Sequence, residues 1–174
     1  MRTVTNTVSK LNGLISKLSV QSKSVTVEQA ESFHTVNIND IINEAIRSLS
    51  TSMSEPVLSM AQALPPVSIV PDQFKQLFMN LMMNATQSAG DSGNVQVTTG
   101  QDQGSVSITI ADSGPGIPEQ QLRTLFQPFK TTKKDGFGIG LYQCKTIVEQ
   151  SKGSIRIESQ QGQGTQVHIL LPAA

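Results

Sequence analysis

Asp112-Ser113-Gly114-Pro115-Gly116-Ile117 and, further downstream, Gly136-Phe137-Gly138-Ile139-Gly140-Leu141 are the two stretches whose reading decides the fold. The first comes straight off Val106, Ile108 and Ile110 with polar Ser107 and Thr109 between them, the pattern of a strand that ends in a glycine turn. The second opens onto Leu141, Cys144, Ile147 and Val148 at helical spacing, a glycine loop feeding a helix start. Glycines let a backbone approach a ligand with no Cβ in the way, and the N–H groups of a helix start favour anionic oxygens. The run from Gly136 through Phe137, Gly138, Ile139 and Gly140 to Leu141 therefore reads as a phosphate cradle. Asp112, an acid at a strand end followed by Gly114, Gly116 and Ile117, is placed to accept a hydrogen bond from an exocyclic amine and so to read a base. Taken singly, either glycine cluster also fits an ordinary turn.

Upstream, a helix expected after Pro71 and Asp72 puts Phe74, Leu77, Phe78, Leu81, Met82 and Ala85 on one apolar face. At 100° per residue, Gln73, Gln76, Asn80, Asn84 and Gln87 gather in an uncharged amide stripe beside it. Solvated helix faces are commonly filled with Lys and Glu, so an amide row suits the wall of a nucleotide site. Amide oxygens are also acceptable hard ligands for Mg2+. A polar helix edge with no ligand is the alternative.

Between the two glycine stretches lies Leu125-Phe126-Gln127-Pro128-Phe129-Lys130-Thr131-Thr132-Lys133. With it the chain resembles the ATP-binding catalytic domain of two-component sensor histidine kinases, in the GHKL or Bergerat-type ATPase superfamily. That family carries an Asn box, an Asp-x-Gly-x-Gly box, a Phe-x-Pro-Phe box and a Gly-x-Gly-x-Gly box in this order. All four are present, the first as Asn80-Leu81-Met82-Met83-Asn84-Ala85. The resemblance implies ATP and Mg2+ as ligands, Asn84 holding the metal, and Asn80, Gln87, Phe129 and Lys133 joining Asp112 and the glycine loops around the nucleotide. It makes Gly164-Thr165 a weaker motif at the nucleotide's edge, where a plain hairpin turn is the alternative.

Related ATPases carry a glutamate one turn before the metal-binding asparagine, and this chain has Asn80 there. An amide cannot serve as general base, which argues for a kinase that holds ATP until an acceptor imidazole arrives. Pro118 starts a short helix, and Phe126 and Phe129 read as anchors pinning the segment that follows. Residues 118–137 are expected to form a lid over the phosphates. Lys133 is the lysine chosen to reach the γ-phosphate, with solvated loop lysines as the alternative. Asn80 and Lys133 are thus the candidate catalytic residues.

Composition bounds the rest. The 174 residues are 37% hydrophobic and 15% charged, which marks a globular chain. With 13 basic and 13 acidic residues, nothing favours nucleic acid or a membrane surface as partner. The single cysteine, Cys144, excludes an internal disulfide and falls on an apolar helix face. Val4, Val8, Leu11, Ile15 and Leu18 have the spacing of a coiled-coil seam, or of an amphipathic helix lying on its own domain. The resemblance makes residues 1–20 the end of a dimerisation helix, 21–32 a linker and 33–172 the catalytic domain.

His34 and His168 lie in strand-like sequence, outside the helical context of a phosphoacceptor. Asn37 caps a helix expected to end near Met53, and Val57–Met60 and Ser68–Val70 are strand candidates. The fold class is α/β, a two-layer sandwich of the Bergerat type. A mixed, mostly antiparallel sheet is covered on one face by three helices, with one N-terminal helix added.

The implied activity is transfer of the ATP γ-phosphoryl to a histidine on a dimerisation domain absent from this chain, for relay to a response regulator. The parent would be a homodimer and this chain unable to phosphorylate itself. A cytoplasmic location is expected, with anchoring of the parent to a membrane left open. Two alternatives share the site: a nucleotide-binding regulatory or protein-interaction module without kinase activity, and a serine-directed kinase.

Overall fold

The computed structural model describes residues 32–49, 55–130 and 138–174. The seam helix over 1–20, the linker up to residue 31, the expected helix end near Met53, and Lys133, Gly136 and Phe137 lie outside the described residues. Residues Phe33–Ala174 form one compact unit.

Strand β1 (His34–Val36) leads into helix α1 (Ile38–Leu49). The Asn37 side-chain oxygen accepts the Asn39 N–H at 3.0 Å, satisfying one of the donors a helix start leaves open. Ile38, Ile42, Ala45 and Leu49 then bury one stripe. Strands β2 (Val57–Met60) and β3 (Val67–Ile69) follow, β3 one residue earlier than its sequence pattern suggests.

Helix α2 (Pro71–Ala89) begins at Pro71 itself, because proline at the first helical position loses no hydrogen bond that the helix needs. It ends at Gly90, whose φ of 69° and N–H bond to Thr86 O close the last turn. Phe74, Leu77, Phe78, Leu81, Met82 and Ala85 are its buried residues, the apolar face expected from spacing.

Strands β4 (Val95–Asp102) and β5 (Ser105–Asp112) form a hairpin across Gln103 and Gly104. Both turn residues have positive φ, 45° and 81°, the backbone a two-residue turn needs to match strand twist. Short helix α3 (Glu119–Leu122) starts after Pro118, α4 (Gly140–Gln150) follows, and β6 (Ser154–Ser159) and β7 (Thr165–Pro172) make the closing hairpin.

The main sheet has the order β2-β4-β5-β7-β6, parallel only between β2 and β4. Alternation does the sorting. Val95, Val97, Val106, Ile108, Ile110, Ile169 and Leu171 are buried in one core cluster with the apolar stripes of α1, α2 and α4. Gln96, Thr98, Thr109, His168, Arg156 and Glu158 alternate with them on the other face. A mixed, mostly antiparallel sheet backed by helices is the architecture anticipated.

One departure is that β1 and β3 form a separate two-stranded antiparallel sheet, tied to the end of β7 by a single bridge between Val67 and Ala173. Pro65-Pro66 before β3 and Pro71 after it cannot donate to a ladder, which confines the strand to three residues. Both histidines are strand residues, His34 in β1 and His168 in β7. Burial, with the Arg156 charge second, lowers the His168 pKa, and its Nδ1 lies 3.1 Å from Thr109 Oγ1 on the neighbouring strand.

Candidate functional site

Asp112 closes β5, half-buried, and its Oδ1 takes two donors. The Gly114 N–H reaches it at 2.9 Å and the Ser88 Oγ–H, from α2, at 3.0 Å. Among the described residues Oδ2 receives no hydrogen bond, so the carboxylate is fixed through one oxygen and offers the other. Gly114 is required by contact: a Cβ there would stand 2.2 Å from Ser88 Oγ and 2.6 Å from Ser88 O.

The remainder of this loop is closed against the β6–β7 hairpin. Ile117 N–H donates to Ser159 Oγ at 2.8 Å, and Gly162 N–H donates to Pro115 O at 2.7 Å. Ser159 has one hydrogen, which goes to Gly164 O at 2.7 Å. The 3.0 Å contact with Thr165 Oγ1 must then be a donation from the threonine, so Ser159 gives one hydrogen bond and receives two. Gly164, at φ 85°, lies so close under the loop that a Cβ would stand 1.9 Å from Asp112 O. Thr165 is buried and sits opposite Asp112 in the β5–β7 register. Asp112, Gly114, Gly116, Ile117 and Thr165 are thereby brought together.

The second group surrounds the start of α4. Gly138 has φ 67° and its carbonyl accepts the Phe129 N–H at 2.9 Å. Ile139 precedes the helix with no side-chain cap, and the first turn carries no acid. Its leading N–H groups are the kind that hold an anion.

Gly140 packs on Asn80 of α2, where a Cβ would come 2.7 Å from Asn80 Nδ2 and 3.0 Å from Oδ1. Asn80 Nδ2 also donates to Cys144 Sγ at 3.3 Å, and Cys144 Sγ lies 3.9 Å from Leu77 O. Burial pushes the thiol's pKa up from 9.0 to about 11, so Cys144 is a packing residue. Leu141 is half-buried against the core.

Asn84 lies one turn beyond Asn80 on α2, half-buried, and Gln87 is exposed. Helix α2 thus touches Asp112 through Ser88 and the α4 start through Asn80, eight residues or about 12 Å apart along its axis. Among the described residues no three His, Cys, Asp or Glu side chains cluster to hold a metal. An amide oxygen from this stripe suits Mg2+, which takes few protein ligands and completes its shell with phosphates and water. The donor set fits the ion.

Phe129 departs from its expected role as an anchor. It is 68% exposed and has a φ of 64°. Phe126 does pack, with Lys145 Nζ of α4 lying 5.8 Å from its ring centre. Among the described residues, Glu119, Gln120 and Arg123 line a concavity, and none of these three is assigned to the nucleotide. Ser88 and Ser159 were absent from the sequence-based site, since nothing local distinguishes them from other serines.

Residues 69–174 match the family described as histidine kinase-, DNA gyrase B- and HSP90-like ATPase. Sporulation kinase E of Bacillus subtilis (strain 168) is 33% identical over 170 residues, 97% of this chain and 23% of that protein. Sensor histidine kinase ZraS of Escherichia coli (strain K12) is 35% identical over 141 residues, 79% of this chain and 30% of that protein. The chain therefore spans less than a third of either relative's length. The nucleotide-free catalytic domain of histidine kinase ThkA superposes with a TM-score of 0.74 at 27% identity, over 82% of this chain and 96% of that one. The mycobacterial sensor histidine kinase MprB gives 0.68 at 26% identity, over 80% and 97%. No helix among the described residues is long and apolar enough to cross a membrane. With more than half its length matched, the chain belongs to the histidine kinase-, DNA gyrase B- and HSP90-like ATPase family, where the relatives named above include a sporulation kinase and a sensor histidine kinase.

Proposed function

We propose that this chain binds Mg-ATP along α2 and delivers the γ-phosphoryl group to a histidine on a dimerisation domain outside it, for relay to a response regulator. The observation that carries the reading is the position of one helix between two ends of a site: Ser88 on the Asp112 carboxylate, Asn80 on the start of α4. The free oxygen of Asp112 accepts the adenine amine, with Gly114, Gly116, Ile117 and Thr165 shaping the base side. The N–H groups of the α4 start, from Gly138, Ile139, Gly140 and Leu141 with Gly136 and Phe137 upstream, hold phosphate oxygens. Asn84 offers its amide oxygen to Mg2+, which when bound neutralises phosphate charge, and Gln87 and Phe129 border the nucleotide. Lys133 is the residue assigned to the γ-phosphate.

Asn80 sets the distance between α2 and α4. As an amide it gives the site no base to activate water, so bound ATP waits for the imidazole. The parent protein would be a homodimer, and this chain alone would bind nucleotide without labelling itself.

Labelled ATP, this chain and a separately supplied dimerisation domain test the reading. Acid-labile phosphate on the added domain is expected, and acid-stable phosphate or tight binding without transfer would replace it. Asp112→Asn is expected to leave the fold intact and to abolish binding in calorimetry, and an unchanged affinity would refute the base assignment.

A further inference from the structure

We infer that Ser88 is a specificity-determining residue of the base site: its hydroxyl holds the Asp112 carboxylate in the orientation that prefers a 6-amino purine to a 6-oxo purine. The inference rests on the nucleotide reading above and names a residue that no motif marks.

The geometry is that of a two-point clamp. Asp112 Oδ1 takes the Gly114 N–H at 2.9 Å and the Ser88 Oγ–H at 3.0 Å. The Gly114 bond comes from the same loop two residues on and turns with it, whereas Ser88 belongs to α2, a separate body packed in the core. Only the serine therefore refers the carboxylate to the helix that also carries Asn84 and Asn80. A carboxylate with both donors on Oδ1 has its second oxygen directed elsewhere.

An ionised carboxylate is acceptor-only, so that oxygen rewards an amine at the purine 6-position and repels a carbonyl oxygen there. Without Ser88 the carboxylate swings about its side-chain bond. It then meets the amine less well and the carbonyl less badly. A hydroxyl that merely packed α2 on the loop would affect both purines alike.

The test is titration calorimetry of the full chain and of Ser88→Ala with ATP and with inosine triphosphate, each with Mg2+. Alanine is the best helix former and removes only the hydroxyl, so α2 keeps its structure. The expected result is an ATP affinity about five-fold weaker in the variant, less than the full worth of one charge-assisted hydrogen bond because the hydroxyl acts on ATP only through the carboxylate, with inosine triphosphate affinity unchanged or higher. The ratio of the two affinities narrows accordingly. Equal loss for both nucleotides, or loss for neither, overturns the role of Ser88 while leaving ATP binding standing. Failure of the unaltered chain to bind ATP overturns the functional reading and this inference with it.

Discussion

The two ends of the proposed nucleotide site are built differently. At the base end, the Asp112–Ile117 loop is joined to the β6–β7 hairpin by Ile117 to Ser159 and Gly162 to Pro115, with Gly164 pressed under Asp112 O. At the proposed phosphate end, α4 packs its apolar stripe with that of α2 and adds one hydrogen bond, from Asn80 to Cys144, and its first turn has no side-chain cap. A base is flat, with fixed hydrogen-bonding edges, and repays a rigid frame. Phosphates and their metal are held by donors that must remain open until a ligand arrives. The contrast teaches that rigidity is placed where recognition needs it and vacancy where charge must be received.

The surest way to break the base end is Gly164→Ala. At φ 85° an alanine is strained in any surroundings, and its Cβ would stand 1.9 Å from a backbone oxygen that cannot step aside alone. We expect a loss of about 2–5 kcal/mol in denaturant unfolding, with ATP binding lost even where the fold survives. A variant with unchanged stability would mean that loop and hairpin are not in contact.

The next effect sharpens the phosphate end through pH. Cys144 has its pKa raised to about 11 by burial, with the Asn80 bond opposing the shift, against an ordinary 9.0. The folded chain therefore keeps the thiol proton to higher pH than the unfolded chain does. The stability this confers is fully present below pH 9 and is lost between pH 9 and about 11, roughly 2–3 kcal/mol in all. Comparing unfolding free energies of the natural chain and Cys144→Ala across that range isolates the thiol, and parallel curves would contradict its burial.

Ser159→Ala is a milder test of the base end. It removes the acceptor of the Ile117 N–H and the donor to Gly164 O, and water can replace part of the loss because the site is half-exposed. A destabilisation of about 1–3 kcal/mol is expected in the same unfolding assay. An effect under about 0.5 kcal/mol would show that Ser159 does not unite the loop and hairpin.

Much of this was readable in the chain. Asp112 follows an alternating run, the α2 amide stripe is a matter of 100° steps, and the α4 start follows a glycine loop, so all three carry local signals. Ser88 and Ser159 carry none. Their partners lie 24 and 42 residues away, and only the packing of α2 on β5 and the β6–β7 register bring them to the site. Phe129 misleads for a related reason. Its residue type suggests burial, but the ring stands exposed on a residue whose positive φ, in a residue other than glycine, no local pattern announces. The separate β1–β3 sheet was hidden likewise, since proline positions show where a ladder must stop and not which strand it joins.

The smallest expected effect is the most discriminating for the phosphate end. Gly140→Ala in an ordinary helix would stabilise by up to about 1 kcal/mol. Here the new Cβ falls 2.7 Å from Asn80 Nδ2, so the amide must leave and its bond to Cys144 goes with it, a loss of similar size. The net change in stability should be near zero while ATP affinity falls, because the displaced amide no longer seats the helix start. Asn80→Ala alone should cost about 1 kcal/mol. In the double variant the obstacle is gone and the helix gain returns, so the two changes should couple by about 1 kcal/mol in a double-mutant cycle. Additive changes would mean that Asn80 and Gly140 do not press on each other. The site would then owe its phosphate end to the glycine loop alone, with α2 serving the base and the metal but not the cradle.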